Sequence, residues 1–237
     1  MSKLEHFVER LFARLDKRLG LPTSNQMRRD NTAWEYAQAN TPALWDAEEN
    51  PQALRGAMDM RRTDPAAALV FLRDSAEAGS AIAMNQVGEI YFWGDGVEVD
   101  QNEGETWFNR AYLAGSQRAL LTYGKLLVRR GDLAKAEQVF KAGADAGWLP
   151  AIYWLAKIRL DISQDATARE HARFLLERAA AMGHPTARWR LGKDMTWGRF
   201  GLHRIPRGLS ILVAYSWDML SEEERKNRPI PTGETLH

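Results

Sequence analysis

The sequence predicts an all-α protein, a right-handed α-solenoid of antiparallel helix hairpins, and three observations carry that prediction. Glycines at 79, 115, 147 and 183 recur at intervals of 36, 32 and 36 residues. Small and apolar residues stand at fixed offsets from each of these glycines. Proline is almost absent between residues 66 and 184, where only Pro150 occurs, in the first turn of a predicted helix that tolerates it.

The offsets are regular enough to read as a repeat. Four residues past each glycine stands Ala83, Ala119, Ala151 or Ala187. Eight and nine past are Val87-Gly88, Tyr123-Gly124, Leu155-Ala156 and Leu191-Gly192, apolar then small every time. Seven before are Leu72, Phe108, Phe140 and Leu176, and four before are the small residues Ser75, Ala111, Gly143 and Ala179. Small residues four or five apart share one helix face and let a second helix approach, while the large apolar positions fill the gap beside them. The recurring glycine suits the left-handed residue that ends one helix before the next begins. A hairpin of this length cannot bury its apolar face alone, so copies stack.

The best copy runs through "GEIYFWGDGVEVDQNEGETWFNRAYLAG". Its columns resemble Sel1-like repeats, relatives of the tetratricopeptide repeat, at Val87-Gly88, Tyr91, Gly94, Gly96, Val97, Asp100, Trp107, Phe108, Ala111 and Gly115. Gly104 departs from the alanine usual in the family, and predicts a looser helix start. The next copy drops the glycine loop and turns through "RRGDLAKAEQVF", closer to a tetratricopeptide. The third, "LDISQDATAREHARFLLERAAAMG", keeps its helices without loop glycines, and the last regains part of the loop in "WGRFGLHRIPRG". The resemblance covers residues 80–200. The acidic stretch "GDGVEVDQNEGE" then reads as a corner between helices, with Asp100 as an N-cap and Glu103 in the position of a capping box. The spacing of its carboxylates does not match an EF-hand.

The ends extend the pattern. "NPQALRGAMDMRRTDPAAALVFLRDSAEAG" is a worn copy, with Gly56 set 32 residues before Gly88 and Asp64-Pro65 opening its second helix. Segment 31–46, with Trp34, Tyr36 and Trp45, is expected to cap the solenoid end, since a terminal repeat must be covered. Residues 3–19 form a separate amphipathic helix with Leu4, Phe7, Val8, Leu11, Phe12, Leu15 and Leu19 on one face. Three fates stay open for it: docking on its own solenoid, pairing with a second copy or a partner through Leu4, Val8, Leu11 and Leu15, or lying on an anionic membrane. The first 30 residues carry seven basic and four acidic groups, a small excess beside the clusters that bind lipid. The predicted organisation is an N-terminal helix and linker over 1–30, capping helices and a degenerate first repeat over 31–79, and repeats over 80–200. A closing helix over 201–220 and a flexible tail over 221–237 complete it.

Composition narrows the function. With 45% apolar residues the 237-residue chain can bury a proper core. A net charge of +1 argues against a nucleic-acid partner, and the absence of cysteine excludes disulfides, thiolate metal sites and a thiol nucleophile. No apolar run approaches the roughly 20 residues of a membrane span, and the charged N-terminus does not read as a signal peptide, so the expected location is cytoplasmic. The five histidines make no ligand pair at helical spacing, and His184 in "GHPTA" reads as a structural helix start. The Gly124-Lys125 pair falls mid-helix, where bonded amides cannot cradle phosphate. No catalytic residue, metal ligand or cofactor is predicted, and the chain is not expected to be an enzyme.

A partner is expected on the concave face lined by the first helix of each hairpin. By analogy with tetratricopeptide repeats, three columns point into it. Six past the glycine reads Asn85, Leu121, Tyr153 and Trp189; ten past reads Glu89, Lys125, Lys157 and Lys193; fourteen past reads Trp93, Arg129, Asp161 and Trp197. Three lysines in register beside aromatics resemble a track for an acidic peptide or exposed carboxylate, although lysine is also an ordinary residue of a solvated helix face. The resemblance implies a non-catalytic bacterial adaptor or scaffold binding another protein. A carbohydrate or cell-wall factor using Trp93, Trp189 and Trp197 is the alternative, as is an immunity protein that neutralises a toxin.

Overall fold

The computed structural model describes residues 24–39, 45, 48–162 and 165–219. The amphipathic helix expected over 3–19 and the tail expected over 221–237 lie outside them. The chain divides into two compact units, residues 32–162 and residues 1–31 with 163–237. All regular structure among the described residues is helical: α1 (Ser24–Ala39), α2 (Pro51–Met60), α3 (Pro65–Glu77), α4 (Ala81–Trp93), α5 (Gln101–Leu113), α6 (Gln117–Arg130), α7 (Leu133–Asp145), α8 (Leu149–Ile162), α9 (Ala166–Ala181), α10 (Ala187–Thr196), a 3-10 turn (Leu202–Arg204) and α11 (Ile205–Met219).

In the larger unit α2 to α8 pack neighbour against neighbour as the antiparallel hairpins of a right-handed α-solenoid. In the smaller unit α9 packs on α10 and α10 on α11. The repeat columns are the core. The large column, Leu72, Phe108, Phe140 and Leu176, is 0% exposed throughout, as is the alanine column of Ala83, Ala119, Ala151 and Ala187. Each fully buried Leu or Phe contributes about 2 kcal/mol, so the columns coincide with the main source of stability.

The recurring glycines close the second helix of each copy in the same way. Gly79, Gly115, Gly147 and Gly183 have φ of 107°, 87°, 78° and 87°. Each N–H donates to the carbonyl three residues back, and the following residue's N–H reaches the small column: Ser80 to Ser75, Ser116 to Ala111, Trp148 to Gly143, His184 to Ala179, all at 2.9–3.0 Å. These are four Schellman caps, and a side chain at the glycine would cost about 1–2 kcal/mol of left-handed strain. The next helix is capped at once where serine follows, Ser80 and Ser116 accepting from the N–H groups of Ala83 and Ala119 at 3.0 and 3.1 Å.

Three details differ from expectation. Gly104 does not loosen the start of α5. A Cβ there would stand 2.9 Å from the Gly88 carbonyl oxygen and 2.9 Å from the Phe92 nitrogen, so α4 and α5 touch backbone to backbone and glycine is needed for that approach. Asp100 caps α5 by accepting from the N–H groups of Asn102 and Glu103, both at 3.0 Å, but Glu103 does not complete the capping box. Its Oε1 accepts instead from the Trp107 indole at 2.8 Å, and the Asp100 N–H goes to the Tyr91 carbonyl at 2.9 Å. The described residues of segment 31–46 do not act as one cap. Trp45 packs on the first hairpin, 4.2 Å below the Arg55 guanidinium, whereas Glu35 and Tyr36 lie against the middle of the larger unit. The reason is the pairing of Glu35 described below, which an end cap would leave without its partners.

Candidate protein-binding face

The first helices α4, α6 and α8 carry the predicted columns in the larger unit, and α10 carries them in the smaller. The six-past column forms a closed floor: Asn85, Leu121 and Tyr153 are 1%, 0% and 8% exposed, and Trp189 is half-buried. Asn85 and Tyr153 were expected to face a partner directly and are instead largely covered. The apolar stripe of α4 is wide enough to draw Asn85 in, and its amide donates to Glu89 Oε1 at 3.0 Å.

The ten-past column differs at every rung. Glu89 sits between two arginines, with Arg118 Nη2 at 2.9 Å and Arg61 Nη1 at 3.5 Å. Arg61 also holds Asp95 at 2.7 Å, which accounts for one carboxylate of the glycine loop as a structural tie. Lys125 Nζ lies 2.6 Å from Oε2 of Glu35, a residue 0% exposed. Lys157 lies over the Trp154 ring at 4.1 Å. Lys193, in the smaller unit, lies over Trp197 at 4.0 Å and Trp189 at 5.0 Å. A cation over an indole face contributes about 0.5–1 kcal/mol when exposed and more when desolvated.

The fourteen-past column is the open one. Trp93 is 62% exposed, its ring braced edge-on by Phe92 at 4.8 Å, and the exposed Arg129 guanidinium stands 6.0 Å from its centre. Trp197 is half-buried between Lys193 and Arg199.

The α1 segment from residue 32 onward was not expected on this face. Glu35 Oε1 accepts from the Trp154 indole at 2.8 Å, and the Tyr36 ring lies 5.1 Å from Lys125 Nζ and 5.4 Å from the Arg118 guanidinium. Trp154 is itself held by stacking on Phe140, 5.6 Å apart at 13°. The buried positions of α1 from residue 31 on are Asn31, Glu35 and Ala39, a helical stripe that is polar where a core stripe is apolar.

His184 is a buried structural group in the smaller unit. It is 2% exposed, its Nδ1 accepts from the Thr186 N–H at 3.3 Å, and burial pushes its imidazole pKa from 6.5 down to about 3. The Thr186 hydroxyl donates to Asn31 Oδ1 at 2.8 Å. Among the described residues no group of three or more His, Asp or Glu side chains could hold a metal ion, and no helix is long and apolar enough to cross a membrane.

The family model of the Sel1 repeat matches residues 81–116 and 150–184. The intervening copy, unmatched, is the one whose helices α6 and α7 are joined through Gly131 and Asp132 alone, without the glycine loop. No curated protein matches the chain. Among solved structures it is similar to a protective antigen present in uropathogenic Escherichia coli strains and described as displaying an SLR fold. The TM-score is 0.57 and the identity 24%, over 75% of this chain and 39% of that one. It is also similar to a Sel1 repeat protein from Oxalobacter formigenes, with a TM-score of 0.49 and 25% identity over 65% of this chain and 62% of the other. The chain thus spans less than two thirds of either protein's length. Sel1 repeats commonly mediate protein–protein interaction. Residues 81–116 and 150–184 are thus similar to Sel1 repeats, and the four capped hairpins share the solenoid fold of the structure described as displaying an SLR fold.

Proposed function

We propose that the chain is a non-catalytic adaptor that docks a protein, or an acidic segment of one, on the concave face carried by its first helices. One observation supports this best: Trp93, 62% exposed and braced from behind, stands beside the exposed Arg129. Tryptophan and arginine side by side are the residue types that dominate binding energy at protein interfaces, the ring supplying desolvated area and the guanidinium a bidentate grip on a carboxylate. Lys157 and Lys193 repeat the pairing of cation and indole further along the sequence. The carbohydrate alternative has less support, because a sugar needs an open ring face. Of the three rings named for it, Trp189 and Trp197 already have a cation over one face, and only Trp93 is open, with Arg129 beside it.

Affinity capture from the native lysate tests the reading. The wild-type chain is expected to retain a stoichiometric protein that a Trp93→Ala, Arg129→Glu variant loses by tenfold or more, the loss of one hot spot. Retention of glycans with no protein, or equal capture by both chains, would count against it.

A further inference from the structure

We infer that Lys125 and Trp154 form a receptor for a carboxylate flanked by an aromatic ring, that α1 is its resident occupant, and that a protein partner reaches it by displacing α1. The inference rests on reading the first-helix face as a docking surface. It adds the chemistry of the segment that face accepts and the segment that guards it.

The contacts around Glu35 have the form of ligand recognition. Each carboxylate oxygen has its own neighbour: Oε1 accepts from the Trp154 indole at 2.8 Å, and Oε2 forms an ion pair with the Lys125 ammonium at 2.6 Å. The indole is fixed in place by its stack on Phe140. The neighbouring Tyr36 ring lies near both Lys125 and Arg118, so the residue after the carboxylate is recognised too. The donors stand on α6 and α8, in the face that carries the predicted columns, and the acceptor arrives from 119 residues away in sequence. An ion pair with one partner fully buried adds little stability over an apolar pair of the same shape, and we assign it instead to selectivity for the segment that docks there.

α1 is also held in a way that permits release. The hairpin helices are anchored by columns of fully buried Leu, Phe and Ala, whereas the buried stripe of α1 from residue 31 is Asn31, Glu35 and Ala39. The aromatic residues of that stretch, Trp34 and Tyr36, are only half-buried, so it has no counterpart of the fully buried Leu and Phe of the hairpins, and buried apolar area is what makes docking of a helix persistent. A partner segment presenting an acidic residue followed by an aromatic one therefore competes for Lys125 and Trp154 against a weakly held rival of the same chemistry.

The test uses the intact chain and a labelled synthetic peptide of the 16-residue α1 sequence, Ser24–Ala39. The Glu35→Gln, Tyr36→Ala variant, whose own α1 no longer fills the receptor, is expected to bind this peptide at least about tenfold more tightly than the wild type. Adding Lys125→Gln to that variant should abolish binding, and Glu35→Gln in the peptide, which keeps the indole contact but loses the ion pair, should weaken it about tenfold. A measurement on the unaltered chain stands beside these variants: hydrogen exchange of residues 32–39 should accelerate when the peptide saturates it. Equal affinity for wild type and variant, no binding to either, binding that survives Lys125→Gln, or unchanged exchange at saturation each overturns the inference. The lysate capture and this peptide titration fail separately, since the peptide requires no natural partner.

Discussion

Lys125 and Lys193 stand in the same column of the repeat, ten residues past Gly115 and Gly183, each on a first helix that follows a Schellman cap. Their ammonium groups meet different chemistry. In the larger unit Lys125 is 2.6 Å from a carboxylate that is 0% exposed. In the smaller unit Lys193 lies against two indole faces at 4.0 and 5.0 Å. The periodic residues decide where a side chain leaves the helix and in which direction. What it meets is decided by residues the period does not fix: Glu35, which lies outside the repeats, in one case, and in the other Trp189 and Trp197, which stand in columns whose residue type changes from copy to copy.

The largest effect that would break this comparison lies at Lys125. Lys125→Met should lower the stability of the chain by about 2 kcal/mol in urea unfolding followed by tryptophan fluorescence, because the Glu35 carboxylate then either stays buried without its cation or returns to water by giving up the contacts of α1. Glu35→Gln should cost less, since the amide still accepts from the Trp154 indole and Lys125, 19% exposed, can turn toward water. A Lys125→Met loss below about 1 kcal/mol would place the two lysines in one class after all.

The contrast also marks what the sequence could disclose. The pivot glycines, the serine and aspartate caps and the Leu/Phe and Ala columns are local or strictly periodic, so their physical causes lie within a few residues of one another in sequence. Glu35 and Trp154 are 119 residues apart, and no period connects them. A search for core faces follows apolar stripes, and the Asn31, Glu35, Ala39 stripe of α1 is invisible to it. Gly104 was misjudged for a related reason. Comparison with the alanine usual in the family treats the glycine as a loss of helix propensity, whereas the Gly88 carbonyl 2.9 Å from any Cβ makes it a requirement of packing. Of the predicted site, the register of the columns was legible, while the occupant of the Lys125 rung and the burial of Asn85 were not.

The two units should also respond differently to acid, through His184 of the smaller unit. Its pKa is near 3 in the folded chain and returns to about 6.5 on unfolding. Between those values the unfolded chain binds the additional proton. The stability associated with neutral His184 is therefore fully present above pH 6.5 and falls as the pH drops toward 3, by at most about 1.4 kcal/mol per pH unit. His184→Gln removes this dependence. The unfolding free energy of the variant, from urea titrations between pH 6 and pH 4, should decline less steeply than that of the wild type by about 1 kcal/mol per pH unit. Parallel slopes would show that the imidazole reaches water in the folded chain.

The smallest effect is the sharpest test of what Lys193 does. Lys193→Met should cost no more than about 0.5 kcal/mol, because the lysine is half-buried and water still screens its charge. The methionine keeps an unbranched stem of similar length over Trp189 and Trp197, and its sulfur makes its own favourable contact with the rings. Lys193→Ala removes stem and charge together and should cost more than Lys193→Met, by the apolar area of the stem. If the two variants are equally destabilised, the ammonium over the indoles matters and the stem does not, and Lys193 then resembles Lys125 more closely than the geometry of its rung implies. If methionine is tolerated and alanine is not, Lys193 acts in the unbound chain chiefly as a cover for two tryptophans.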